Sequence, residues 1–130
     1  MAFATRALKV LLSTSGADRR DHQQRGGEDS VVEAEVNLLL SSGHKVVTYS
    51  RKNDDIDAMS GAYIAMQTLW SPRTMGEVTG LIQSFRPDII HVHNTLPLIS
   101  PSIYWAAASN NVPVVQTLHN FRLMCLNALY

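Results

Sequence analysis

The chain has 130 residues, 45% hydrophobic and 17% charged, enough for one modest domain with a real core. Lysine plus arginine equals aspartate plus glutamate at 11 each, so the formal net charge is zero, which argues against a nucleic-acid partner. A single cysteine, Cys125, excludes an internal disulfide and a metal site built on cysteine spacing, and no apolar run approaches the length of a membrane span.

The first residues carry Arg6 and Lys9 among apolar neighbours, and the apolar stretch is too short for a signal peptide. Residues 8–12, Leu-Lys-Val-Leu-Leu, read as a short buried strand. A polar stretch over 13–25 follows and reads as a surface loop, long for a strand-to-helix connection. It leads into Gln24-Arg25-Gly26-Gly27-Glu28-Asp29-Ser30. Adjacent glycines let the backbone approach a ligand closely. The helix behind them would point free N–H groups and its positive dipole end at that loop, which suits a phosphate or pyrophosphate.

That first helix is predicted over 28–42, with Val32, Val36, Leu39 and Leu40 on one stripe and Gly43 as its stop. A second strand is predicted over 45–50, and a charged loop over 51–55. Residues 56–69 hold a weaker helical pattern, interrupted by Gly61 and β-branched residues, and Trp70 is expected to be buried. Ser71-Pro72 starts the next helix, with serine as N-cap and proline in the first turn. Val78, Leu81, Ile82 and Phe85 form its stripe, Gly76 and Gly80 weaken it, and Pro87 ends it.

A third strand follows over 88–93, Asp-Ile-Ile-His-Val-His. Ser100-Pro101 starts another helix in the same way, running to about Asn110. The fourth strand covers 112–118, with Pro113 at its start where a missing N–H does least harm. Strands and helices therefore alternate, which predicts an α/β fold: a Rossmann-like parallel sheet with flanking helices.

In such sheets ligands bind outside the carboxyl ends of the strands. Those ends here are 13–27, Ser50-Arg51, Asn94-Thr95 and His119-Asn120, all polar. His91 and His93 alternate along a strand and share a face. Two same-face histidines can bind a metal, but no third ligand stands close in sequence, so the reading is polar residues hydrogen-bonded beneath the ligand edge and no metal. His93 lies nearer the strand end, where it would meet ligand. His119 follows a strand, and an imidazole there can exchange a hydrogen bond or proton with a hydroxyl near neutral pH; a strand-end cap is the simpler alternative. Arg122 can pair with phosphate or with a surface carboxylate. His22 and His44 read as solvent-facing, and Met124 and Cys125 as core filler. The Gly-x-Gly-x-x-Gly fingerprint of dinucleotide binding is missing, and Ser50-Arg51 stands where an acid would hold a ribose, so a nicotinamide or flavin oxidoreductase is disfavoured.

Four segments taken together resemble the N-terminal domain of a family 4 glycosyltransferase. They are Gly26-Gly27-Glu28-Asp29-Ser30-Val31-Val32, Asp88-Ile89-Ile90-His91-Val92-His93-Asn94, Pro97-Leu98-Ile99-Ser100-Pro101-Ser102 and Gln116-Thr117-Leu118-His119-Asn120. Ser71-Pro72-Arg73 fits the same subgroup. The resemblance runs from about Leu8 to Tyr130.

It implies a GT-B architecture, in which two Rossmann-like domains face each other across a cleft. It also implies a hexosyltransferase-type enzyme that moves a sugar from a nucleotide-sugar donor to an acceptor hydroxyl, with retention, in glycan or glycolipid synthesis. No cofactor is implied; the nucleotide-sugar is a substrate. Gly26 and Gly27 would lie beside the donor phosphates and the acceptor. His119, in its Thr-x-His context, would lie near the reacting centre as the catalytic candidate. His93, Asn94, Asn120 and Arg122 are the remaining substrate-side candidates. The chain departs from the family in its long Arg- and Asp-rich loop before the glycines. It also ends without a donor-binding domain, so residues 1–130 are expected to be an incomplete acceptor-side domain, inactive alone, that needs a C-terminal domain in cis or trans. A non-catalytic binding or partner module of a split enzyme is the alternative. A cytoplasmic location is expected. Lipid-linked acceptors would bring such an enzyme to the inner membrane face, though no basic amphipathic helix is evident.

Overall fold

The computed structural model describes residues 7–16, 27–52, 61–93 and 99–119. In chain order the elements are β1 (Lys9–Gly16), α1 (Gly27–Ser41), β2 (Lys45–Lys52), α2 (Gly61–Leu69), α3 (Pro72–Phe85), β3 (Ile89–Val92), α4 (Ser102–Ser109) and β4 (Val114–Gln116). The four strands form one parallel sheet in the order β2-β1-β3-β4. The expected Rossmann-like α/β fold is therefore present. Strand order reverses at β1, because β2 lies on one side of it and β3 on the other. The crevice between β1 and β3 is thus a topological switch point.

Side-chain alternation sorts the sheet into two faces. Register aligns Leu11 with Val47 and Ile90, and Ser13 with Tyr49 and Val92. Leu11, Tyr49, Ile90 and Val92 from that face pack with Val78 and Ile82 of α3, and with Ile99, Ile103, Ala106 and Ala107 at α4. Burial of each large aliphatic side chain contributes about 1.5–3 kcal/mol. The opposite face carries Val10 and Leu12, both buried, in register with Ile89 and His91 of β3 respectively. α1 covers that face and buries Val32.

Helix ends follow local chemistry. Gly43 takes φ of +83° just after α1, a left-handed stop that costs glycine nothing. The same end is tied to the start of β1, where the Leu8 N–H donates to His44 Nδ1 at 3.1 Å. α1 therefore begins at the carboxyl ends of the strands. Ser71 caps α3 as expected: its Oγ accepts from the Thr74 N–H at 3.2 Å. α3 closes one residue earlier than Pro87 alone requires, with Arg86 in the left-handed region at φ 52°.

Several expectations need correction. β1 continues to Gly16, because Ser13, Thr14, Ser15 and Gly16 pair with residues 49–52 of β2; the stretch predicted as loop starts as strand. β2 likewise runs on through Arg51 to Lys52. Gly61 opens α2, where the interior penalty of glycine does not apply. Trp70 is 41% exposed, and its ring meets Trp105 edge-on with centroids 6.1 Å apart. α4 has Pro101 at its cap position without a side-chain cap. Ser100 Oγ accepts from the Ser102 N–H at the start of α4 at 3.3 Å, as a capping serine does, and also from the N–H of Ser71 at 3.0 Å, joining the starts of α3 and α4. His44 is half-buried. β4 is shorter than expected, at three residues.

Tyr49 and Glu77 link β2 to α3 on the core side. The Tyr49 hydroxyl donates to Glu77 Oε2 at 2.7 Å. Burial, and then the Glu77 carboxylate, push the Tyr49 phenol up to about 12. Burial would raise Glu77 as well, but hydrogen bonds from Arg73 and Tyr49 outweigh it and hold the carboxyl below its usual value.

Candidate functional site

The carboxyl ends of β3 and β4, together with α1, bring five polar side chains together. His91 lies within β3 and His93 just after it. β3 is held between β1 and β4 by parallel pairing, and the His93 N–H donates to the Ser13 carbonyl at 2.9 Å. His119 and Thr117 follow β4, where the Thr117 N–H donates to the Val92 carbonyl at 2.9 Å. Glu35 reaches in from α1.

The contacts form one connected network. Oε1 of Glu35 meets Nδ1 of His91, and Oε2 lies 3.2 Å from Nε2 of His93. The far nitrogen of His91, Nε2, lies 2.8 Å from the Thr117 hydroxyl. The far nitrogen of His93, Nδ1, lies 2.9 Å from Nε2 of His119. The rings of His93 and His119 also stack, with centroids 5.2 Å apart and an interplanar angle of 22°. The His91 and His93 rings tilt across one another at 4.4 Å.

Burial is deepest in the middle of this network. The His93 side chain is 1% exposed, while His91 and Glu35 are 15% and 25% exposed. His119 is intermediate and is the last imidazole of the series that starts at Glu35. The hydrogen bonds from His91 to Thr117 and between His93 and His119 can each hold a ring in one orientation.

Of the residues singled out from sequence, His93 and His119 are brought into direct contact. His93 sits behind His119, with its nitrogens facing Glu35 and His119. Gly27 is the first residue of α1 and lies two turns, about 12 Å along the axis, before Glu35. Gly26, Asn94, Asn120 and Arg122 lie outside the described residues. Glu35 was not anticipated, yet its position gives a signal. It falls three residues after Val32 and four before Leu39, inside the apolar stripe of α1, where an acid must find a polar partner.

Glu35 also changes the reading of the histidine pair as far as metals are concerned. No third ligand is near in sequence, but α1 supplies one in space. Donor atoms of Glu35, His91 and His93 lie within 4.8 Å of one another. Two imidazoles and a carboxylate are a set able to hold a divalent transition metal.

The model of Glycosyltransferase Family 4 matches residues 25–126, most of the chain, and spans every component of the network. The chain belongs to that family. No curated protein matches the sequence. The family 4 match begins at the residue before Gly26-Gly27 and continues past His119, so both ends of the candidate site fall inside it. No described helix is long and apolar enough to cross a membrane.

Proposed function

We propose that this family 4 domain is the acceptor-side half of a retaining GT-B glycosyltransferase. In this reading a nucleotide-sugar and an acceptor hydroxyl meet over the switch point between β1 and β3. The bond from the anomeric carbon to the donor phosphate breaks, and its electron pair leaves with the nucleotide. The acceptor oxygen bonds to that carbon, and the hydroxyl proton departs with the nucleotide, so the step is balanced without a cofactor. Gly26 and Gly27 would cradle donor phosphate at the start of α1, with Arg122 adding charge. His119 would hydrogen-bond a sugar hydroxyl at the reacting centre. Asn94 and Asn120 would line the same edge. A second Rossmann-like domain, in cis or in trans, would complete the cleft and exclude water, and residues 1–130 alone would be inactive. Acceptors attached to lipid would place the protein at the cytoplasmic membrane surface.

The observation that carries this reading is the contact of His119 with His93 at the carboxyl edge of the sheet, inside the family match. The test is to incubate the protein, with its donor domain, with a panel of nucleotide-sugars and acceptors. Nucleotide release and the anomeric configuration of the product are followed. Transfer with retention is expected. Inversion would remove the retaining mechanism, and no turnover with any donor would favour the non-catalytic partner module.

A further inference from the structure

Arg51 is the second-last residue of β2, at the carboxyl edge of the sheet where ligands bind. Its side chain lies on the α3 face, where Nη1 donates to the Thr74 hydroxyl at 3.3 Å. Thr74 is fully buried, and its Oγ1 lies 3.1 Å from the Oγ of Ser71, the residue that caps α3. The guanidinium is thus tied to the start of a helix. That bond uses one of its five donors. Arg51 is half-buried and, among the described residues, forms no ion pair. Glu77 lies near enough to feel its charge. Glu77 already accepts, however, from Arg73 Nε at 2.8 Å and from the Tyr49 hydroxyl at 2.7 Å. Tyr49 adds no negative charge near neutral pH, since its phenol is pushed up to about 12. Two arginines against one carboxylate leave this cluster with one net positive charge. A partly desolvated guanidinium with open donors matches a phosphate, two of whose oxygens it can meet at once.

We propose that Arg51, positioned by Thr74, binds a phosphate group carried by the acceptor substrate. The anion site stands on Arg51 and its surroundings; its assignment to the acceptor rests on the functional reading above. Placement favours the acceptor over the donor. Donor phosphate is proposed at the start of α1, and α1 covers the face of the sheet opposite to α3. In addition, β2 lies three strand spacings from β4, about 14 Å. A phosphate at Arg51 is therefore remote from the hydroxyl contact proposed for His119. The substrate class this fits is a phosphate ester whose reacting hydroxyl sits on a separate part of the molecule.

The first experiment titrates inorganic phosphate into the full chain at fixed ionic strength. The arginine Nε–H signals are followed by proton–nitrogen spectroscopy, and the Arg51 signal is identified by its loss in Arg51→Lys. A saturable shift of that signal is expected. Calorimetry of Arg51→Gln is expected to show phosphate affinity lower by about tenfold or more, the size of a lost hydrogen bond between charged groups. An Arg51 signal that phosphate does not move would overturn the site, as would wild-type affinity in Arg51→Gln. If Arg51→Gln fails to fold, the wild-type titration decides alone.

Turnover with the donor domain present separates the two possible sources of phosphate. Arg51→Gln is expected to raise KM for phosphorylated acceptors by about tenfold or more and to leave KM for the nucleotide-sugar unchanged. Thr74→Val removes the hydroxyl that holds the guanidinium and is expected to raise the same acceptor KM by a smaller factor. Soluble sugar phosphates and lipid-linked phosphates, tried side by side, tell which kind of acceptor brings the group. A rise in KM for the nucleotide-sugar would overturn the acceptor assignment and give Arg51 to the donor. An equal rise for acceptors with and without phosphate would overturn it too. Absence of transfer with any donor would instead remove the functional reading, and with it the acceptor, while the phosphate titration still decides the anion site.

Discussion

The Nδ1 atom of His93 lies 2.9 Å from Nε2 of His119, and the two rings stack. His93 is almost wholly buried, and its other nitrogen faces Glu35. Its value to the fold is therefore polar as well as steric. His93→Phe keeps an aromatic ring but removes the hydrogen bond to His119. Loss of such a bond typically costs about 0.5–1.5 kcal/mol, and that is the expected fall in unfolding free energy by urea denaturation. An unchanged unfolding free energy would mean that the contact between the two imidazoles does not stabilise the fold.

Ser71 joins the starts of two helices. Its Oγ accepts from the Thr74 N–H, and its own N–H donates to Ser100 Oγ. The residue is fully buried, so no water replaces its hydroxyl. Ser71→Ala should cost about 1–2 kcal/mol, the upper part of the range for a lost N-cap. Ser71→Asn, which can still cap the helix, is larger and would test size against capping. Chemical denaturation of Ser71→Ala at wild-type stability would show that the Thr74 N–H is satisfied in another way.

The Tyr49 phenol is raised from 10.0 to about 12 by burial and by Glu77. Folding thus favours its neutral form. A group raised in this way contributes stability that is fully present below its unfolded value and is lost as pH rises through its folded value. The contribution should therefore fade between pH 10 and about 12. In a spectrophotometric titration, Tyr49→Phe should remove a phenol that ionises at about 12. If the phenol that disappears is one that ionises near pH 10, Tyr49 is not in the environment described.

Metal dependence tests the cluster of Glu35, His91 and His93 separately from its hydrogen bonds. The proposed reaction draws on imidazole and backbone groups, so a strong chelator should leave transfer unchanged. Loss of transfer on chelation, restored by a divalent ion and abolished in Glu35→Gln, would convert the network into a metal site.

The fold was legible because each buried strand is an apolar run and the helices between them carry clear stripes or caps. Val78 and Ile82 of α3 are buried as their spacing predicts, and Ser71 caps that helix. What was hidden came from pairing across the sheet. Ser13 and its polar neighbours look like a loop, but the long parallel partner β2 draws them into β1. Trp70 looked like a core residue, whereas its ring lies against Trp105 at a partly open surface. At the site, the alternation of His91 and His93 placed them on one face from sequence alone. That Glu35 would meet both of them depends on how α1 lies across the sheet, which periodicity does not set. The contact between His93 and His119 likewise required the register of β3 against β4.

The most direct measurement is the turnover of His119→Ala, made in the protein with its donor domain and at saturating nucleotide-sugar. If His119 hydrogen-bonds the reacting sugar, kcat should fall by at least about 10²-fold, the usual size of a lost acid–base or polar catalytic group. Folding should be preserved, since His119 is only partly buried. Turnover within a few-fold of wild type would contradict the account and leave His119 as a cap on the strand end.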